Sequence, residues 1–285
     1  MNKKYKVFDV RCIGASHLKS GKPCQDYAAS YSTDKYSMIV VCDGHGGDRY
    51  IRSDIGAKLA AEVCVDAVKS LFGGRSSRKN RPSVKFLQQG NDVSLLKQLA
   101  SYIIFKWRDA IETDWRNRPF AEEETVSLSD KDRKRLSDEN GWVSAYGTTL
   151  LAVVMTRDYW FGLHIGDGKC VSVSPSGEYS QPIPWDPKCF LNVTTSLCDE
   201  KALENFRFFF QKGELPKTVF IASDGVDDTF GSDQALHGFY KSVIELFEQK
   251  PFEEAKTELE TYLPKLSAQG SQDDISIAGI MNYKF

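Results

Sequence analysis

The sequence predicts an α+β fold built in layers, and three observations predict it. The elements run strands, helices, strands, helices, strand, instead of the regular β-α-β alternation of a parallel sheet. The strand candidates are short, and the helix candidates are long and amphipathic. The 285 residues are 41% hydrophobic, enough for a chain of this length to bury a large core without disulfides or a structural metal. Lys plus Arg number 37 and Asp plus Glu 39, and the net charge of −2 gives no global pull toward nucleic acid or membrane. Disorder, collagen and coiled coil are excluded as whole-chain architectures. Function must then lie in where particular residues sit.

Taken in order, residues 5–13 are rich in Val, Phe and Ile and read as a strand. Residues 36–42 form a nearly continuous apolar run that stops at Asp43-Gly44, the pattern of a strand buried on both faces. Residues 50–72 space Ile51, Ile55, Leu59, Val63 and Val68 for a helix, and residues 93–115 do the same with Leu95, Leu96, Leu99, Ile103 and Ile111. Residues 148–156 and 159–165 flank Arg157-Asp158 as a hairpin, to which 169–174 adds a third strand after the Gly166-Asp167-Gly168 turn. Residues 218–222 and 275–283 complete the strands; 234–247 and 252–266 complete the helices. Residues 73–89 carry Arg75, Arg78, Lys79, Arg81 and Lys85, yet no aromatic residue interleaves the early charges, so a solvated loop is expected there. Residues 121–141 read as loop or exposed helix. No repeat or linker divides the chain, and one domain over 1–285 is expected.

The seven cysteines are odd in number and include no C-x-x-C pair, which excludes a zinc ribbon or a thioredoxin-like motif. Cys42 and Cys64 lie in apolar stretches and read as small buried hydrophobes. Free thiols favour a reducing compartment. Lys6, Asp9 and Arg11 interrupt the N-terminus before any signal-peptide core can form. The longest strongly apolar runs, 38–42 and 150–155, are too short to span a bilayer. A cytoplasmic monomer without membrane or nucleic-acid partners is the expectation.

One local pattern recurs, an Asp beside Gly at a strand end. It occurs at Asp43-Gly44, Asp167-Gly168 and Asp224-Gly225; Asp26 precedes an apolar segment, and Asp273-Asp274 opens the last strand. A single Asp-Gly is an ordinary turn. Several at converging strand ends would repel one another unless cations neutralised them. Oxygen-only ligands favour hard ions, Mg²⁺ or Mn²⁺. The pentapeptide Asp43-Gly44-His45-Gly46-Gly47 should arise by chance in on the order of one chain in ten thousand of this length. Its glycines allow a tight turn and close approach to a ligand, and the Gly44 carbonyl can join the Asp43 carboxylate on a hard metal.

Asp-Gly-His-Gly-Gly after a buried strand, with Gln25-Asp26 upstream and Gly147-Thr148-Thr149, Gly166-Asp167-Gly168, Ser223-Asp224-Gly225 and Asp273-Asp274 downstream, resembles the PP2C-type metal-dependent protein phosphatases (the PPM family), in particular their compact bacterial branch. The motifs span residues 14–279 in the family's order. The resemblance implies a PP2C-like β-sandwich of two antiparallel sheets flanked by helices, with two Mn²⁺ or Mg²⁺ ions at one end. It implies that Asp43 bridges both ions, that Gly44 offers its carbonyl to one, and that Asp224 and Asp273 complete the other. Asp26 would hold metal-bound waters, and Asp167 would lie near a third, weakly bound ion. Water or hydroxide between the ions would attack phosphoserine or phosphothreonine directly, and His45 would protonate the leaving oxygen, a task that needs a pKa near working pH.

Three departures bear on these expectations. Gln25 stands where many relatives have Glu and cannot act as an anionic ligand. No Arg lies between His17 and Gln25 to grip phosphate, which leaves Lys22 or Lys19 as point-charge substitutes. Lys169 follows Gly166-Asp167-Gly168 where relatives have Gly-Asp-Ser-Arg. A catalytically weak or inactive pseudophosphatase that binds phosphoproteins is therefore the alternative to an active enzyme. A two-metal nuclease, suggested by the basic 75–85 segment, ranks below both. His17, His164 and His237 read as structural.

Overall fold

Side-chain alternation decides the layers. In the strand Ser37–Cys42, Met38, Val40 and Cys42 join a cluster under two helices, while Ile39 and Val41 join the cluster between two sheets. All five are buried, which is why the run reads as continuously apolar. The computed structural model describes residues 4–73, 92–190 and 193–283.

In chain order the elements are β1 (Lys4–Cys12), α1 (Ala15–Ser20), β2 (Tyr27–Ser32), β3 (Ser37–Cys42), α2 (Ser53–Phe72), α3 (Asp92–Asn117), α4 (Glu122–Thr125), α5 (Asp130–Ser137), a 3₁₀ segment (Gly141–Tyr146), β4 (Leu150–Met155), β5 (Tyr159–Ile165), β6 (Lys169–Val173), β7 (Tyr179–Ser180), α6 (Ala202–Asn205), β8 (Arg207–Lys212), β9 (Thr218–Ala222), α7 (Asp224–Asp227), α8 (Asp233–Gln249), α9 (Phe252–Gln269) and β10 (Ile275–Tyr283). Two antiparallel five-stranded sheets result, β1-β10-β9-β6-β7 and β2-β3-β4-β5-β8. Leu151, Val153, Val219, Ile221, Ala278 and Ile280 pack between them. On the outer face of the second sheet, α2 presents Ala57, Ala60, Ala61 and Cys64, small residues that allow close approach. On the outer face of the first sheet, Phe8 stacks on Phe247 and Phe220 on Tyr240, with Phe247 and Tyr240 both carried by α8, and α9 adds Leu259 and Leu263 to the same cluster. The α-β-β-α layering expected from sequence is thus present.

The register puts the hairpin where expected, with Val154 opposite Phe161. The next strand departs from expectation. β6 does not extend that hairpin but pairs with β9 and β7 in the other sheet. The turn that carries the chain across has Gly166 at φ +116°, a conformation side chains rarely adopt. Residues 121–141 fold back onto the core through Leu128 and Leu136. The basic segment 73–89 lies, from residue 74 on, outside the described residues. All seven cysteines are free, and Cys42 and Cys64 are fully buried. Among the described residues no helix is long and apolar enough to cross a membrane.

Candidate metal centre

The loop after β3 is fixed by its backbone, which leaves its side chains free. The Asp43 N–H donates to Thr149 Oγ1 at 3.0 Å, and its carbonyl accepts from the Thr149 N–H (2.8 Å) and Thr148 Oγ1 (2.9 Å). That is what Gly147-Thr148-Thr149 does: it anchors Asp43 from the neighbouring strand. Gly44 bridges to Thr148 while the ladder bonds run through Asp43 and His45 on either side, so its own carbonyl points away from the bridge. A Cβ at Gly44 would lie 2.5 Å from the Gln25 carbonyl oxygen and 2.7 Å from that of Ser53. Only glycine fits.

Similar devices position the other acids. Asp167 sits between Gly166, whose Cβ would strike Thr149 at 2.5 Å, and Gly168, whose Cβ would strike the Ala222 carbonyl oxygen at 2.6 Å. Asp224 opens α7, and a Cβ on the following Gly225 would lie 2.0 Å from the Asp274 carbonyl oxygen. Asp26 is 2% exposed just before β2 and accepts from Ser223, while its Oδ2 has no hydrogen-bond partner. Asp273 is exposed at the mouth, and its Oδ1 accepts from the Asp274 N–H at 2.8 Å.

These five carboxylates, with Gly44, His45 and Asp228, line one cleft of about 670 Å³. Asp43, Asp167 and Asp224 each bring an oxygen within 4.8 Å of the other two. Burial first, then the neighbouring carboxylates, hold Asp26 and Asp43 well above the usual carboxylate range. Burial first, then the charge of Asp167, pushes Asp224 up to about 7. Burial also raises Asp167, against a hydrogen bond from Thr194. Without cations the cleft must hold protons to relieve its repulsion. The donor set is all oxygen and one buried oxygen of Asp26 is unpartnered, so the residues present fit hard divalent cations.

His45 stands beside them. Burial, then the charge of Arg49, pushes its imidazole down to about 4. Its backbone carbonyl accepts from Gln25 Nε2 at 3.1 Å, and the same amide donates to Ser53 Oγ at 2.6 Å. Gln25 therefore braces the His45 loop against α2. Lys22 and Lys19 lie outside the cleft lining: Lys22 Nζ donates to the Gly46 carbonyl (3.2 Å) and Lys19 Nζ to Gln272 Oε1 (3.4 Å).

Two residues matter that the sequence reading left open or missed. Asp274, 3% exposed, accepts from the Gly14 N–H and the Gln25 N–H, both at 2.6 Å, and from His17 Nδ1 at 3.0 Å. It ties the segment carrying Asp26 to the start of the strand that follows Asp273. The signal was the Asp-Asp pair itself, since adjacent strand residues face opposite sides. Arg49 lines the cleft beside His45 and had no sequence signal. His164 is buried in β5 and His237 stacks on Tyr179 at 4.4 Å, and neither lines the cleft.

Comparison with known proteins defines the class. The family described as Protein phosphatase 2C matches residues 13–264, and the chain belongs to that family. It is a protein phosphatase by class. No curated protein matches it by sequence. Among solved structures, the serine/threonine phosphatase Stp1 from Staphylococcus aureus is similar with a TM-score of 0.57 at 14% identity, over 100% of this chain and 96% of that one. The Mycobacterium tuberculosis serine/threonine phosphatase PstP/Ppp is similar at 0.54 and 12%, over 98% and 99%. The catalytic domain of PstP, solved in complex with 2 manganese ions, is similar at 0.54 and 13%, over 97% of each chain. At these identities the likeness is one of fold.

Proposed function

We propose that the chain hydrolyses phosphoserine and phosphothreonine in proteins, with two Mn²⁺ or Mg²⁺ ions bound in the cleft and a third held more weakly. The convergence of Asp43, Asp167 and Asp224 within 4.8 Å supports the reading most. In it, Asp43, the Gly44 carbonyl, Asp224 and Asp273 would hold the two principal ions, with Asp43 common to both. Asp26 lies behind them with its unpartnered Oδ2, and Asp167 would hold the third. When bound, such cations would neutralise the carboxylates, polarise the phosphoryl group and activate water for direct attack.

The chain's own contribution is positional. The Thr148 and Thr149 hydroxyls fix Asp43, and Gln25 fixes the backbone of His45. With no cation bound, His45 is neutral at pH 7, since its imidazole is held near 4. A phosphoryl dianion beside the ring favours its protonated form, and the proton can then pass to the leaving serine or threonine oxygen. Gln25 as a brace also accounts for the missing glutamate without removing the core carboxylates. A cytoplasmic monomer acting on phosphorylated protein completes the reading, and the net charge of −2 offers nothing to nucleic acid.

The test is phosphate release from p-nitrophenyl phosphate and a phosphothreonine peptide with Mn²⁺, in wild type and Asp43→Asn. Activity should vanish in EDTA and fall about a hundredfold or more in the variant. Mn²⁺ binding without turnover would favour the phosphoprotein-binding pseudophosphatase. Turnover that persists in EDTA would remove the metal mechanism.

A further inference from the structure

The acidic cleft contains one Arg or Lys among the described residues that line it, Arg49. Its guanidinium lies over the Tyr50 ring at 4.5 Å, and Tyr50 in turn packs edge-on against the His45 ring at 4.7 Å. One nitrogen, Nη2, reaches the Tyr50 hydroxyl, and Nε is buried with no hydrogen-bond partner. Among the described residues no carboxylate lies within ion-pair distance of it. Coulomb attraction would draw a free guanidinium onto the nearby acids. Stacking on Tyr50 holds it apart from them. A cation so held, with no counter-ion among the described residues, is placed for an anion that comes from outside.

We propose that Arg49 binds the non-bridging oxygens of the substrate's phosphoryl group, an assignment that rests on the phosphatase reading above. The planar guanidinium fork matches phosphate geometry, which an ammonium cannot do. Lys22 and Lys19 are turned to the Gly46 carbonyl and to Gln272 instead. Through Tyr50 the same side chain is stacked toward His45, so the group that holds the phosphate and the group that would protonate the leaving oxygen share one support. The loop Asp43–Tyr50 would then provide a metal ligand, an acid and a phosphate grip within eight residues of chain.

The experiment uses the Mn²⁺-loaded full chain and two readouts, steady-state kinetics on p-nitrophenyl phosphate and calorimetric binding of inorganic phosphate. Arg49→Ala should raise KM and weaken phosphate binding by about 10- to 100-fold, the range expected for hydrogen bonds to a charged group. Arg49→Lys should fall between the variant and wild type. Mn²⁺ affinity should stay within about twofold, because Arg49 pairs with no carboxylate among the described residues. Phosphate binding by Arg49→Ala as tight as wild type would overturn the assignment. So would a loss confined to Lys22→Ala or Lys19→Ala. If Arg49→Ala does not fold, Arg49→Gln, which keeps most of the side chain, decides by the same readout. A wild type that binds phosphate but turns over neither substrate removes the phosphatase reading, while the phosphate calorimetry still reports on Arg49.

Discussion

Asp274→Ala is the sharpest test of how the cleft is assembled. The carboxylate is 3% exposed and takes three donors: the Gly14 N–H, the Gln25 N–H and His17 Nδ1. Two of those donors are backbone groups that make no other hydrogen bond among the described residues, and they lie 260 and 249 residues away along the chain. A buried N–H left unsatisfied costs about 1–3 kcal/mol. Two such groups, plus the lost bond to His17, put the expected destabilisation at about 3–5 kcal/mol, in line with breaking a buried charged network. For a chain of this size that corresponds to a fall in Tm of roughly 5–8 °C. His17→Ala removes one of the three bonds and leaves the backbone groups satisfied, so it should cost only about 1–2 kcal/mol. Urea unfolding of the metal-free proteins, with Tm by calorimetry, measures both. An Asp274→Ala variant within about 1 kcal/mol of wild type, or no more damaged than His17→Ala, would refute the reasoning.

Other outcomes follow from the same geometry. The metal-free protein should lose stability as pH rises from about 4 through 7 and beyond, because Asp26, Asp43 and Asp224 titrate higher folded than unfolded. An acid with a raised folded pKa favours folding fully below its unfolded pKa and loses that contribution through its folded pKa. In EDTA, Asp43→Asn should therefore match wild type at pH 4 and exceed it in Tm at pH 8, and a gap that fails to open with pH would count against the shifts. Mn²⁺ should reverse the order at pH 8, since a ligand at 100 times its Kd adds about 2.7 kcal/mol to the binding-competent protein. Arg52→Ala should cost about 3–5 kcal/mol in urea unfolding. Arg52 is 4% exposed, forks onto Glu124 (2.7 and 2.8 Å) and bonds Tyr146 Oη at 2.9 Å, so its removal strands a partly buried acid. A loss below about 1 kcal/mol would show that this bridge to α4 is dispensable.

The sandwich was legible where strands are buried on both faces. β4 is apolar throughout and β3 is apolar after Ser37, so both stand out as runs. β2 and β8 do not: Tyr27–Ser32 and Arg207–Lys212 are edge strands, half-exposed, and their mixed small, polar and aromatic residues carry no clean period. The short β7 carries too few residues to show one. That β6 crosses to the other sheet was not legible either. Local pattern states that residues are extended, and only the structure shows that the turn through Gly166, at φ +116°, carries them to the other sheet. The acids at strand ends were visible because Asp-Gly leaves a mark in sequence. Asp274 and Arg49 act on partners far away in the chain or on a ring next door, and neither relation has a spacing that sequence alone displays.

The most direct measurement of the central claim is anomalous scattering from a Mn²⁺-soaked crystal, collected at the manganese edge. The account predicts two strong peaks in the cleft, one in contact with both Asp43 and the Gly44 carbonyl and one among Asp43, Asp224 and Asp273, with a weaker peak near Asp167. Peaks elsewhere, or a cleft without manganese at saturating concentration, would contradict it.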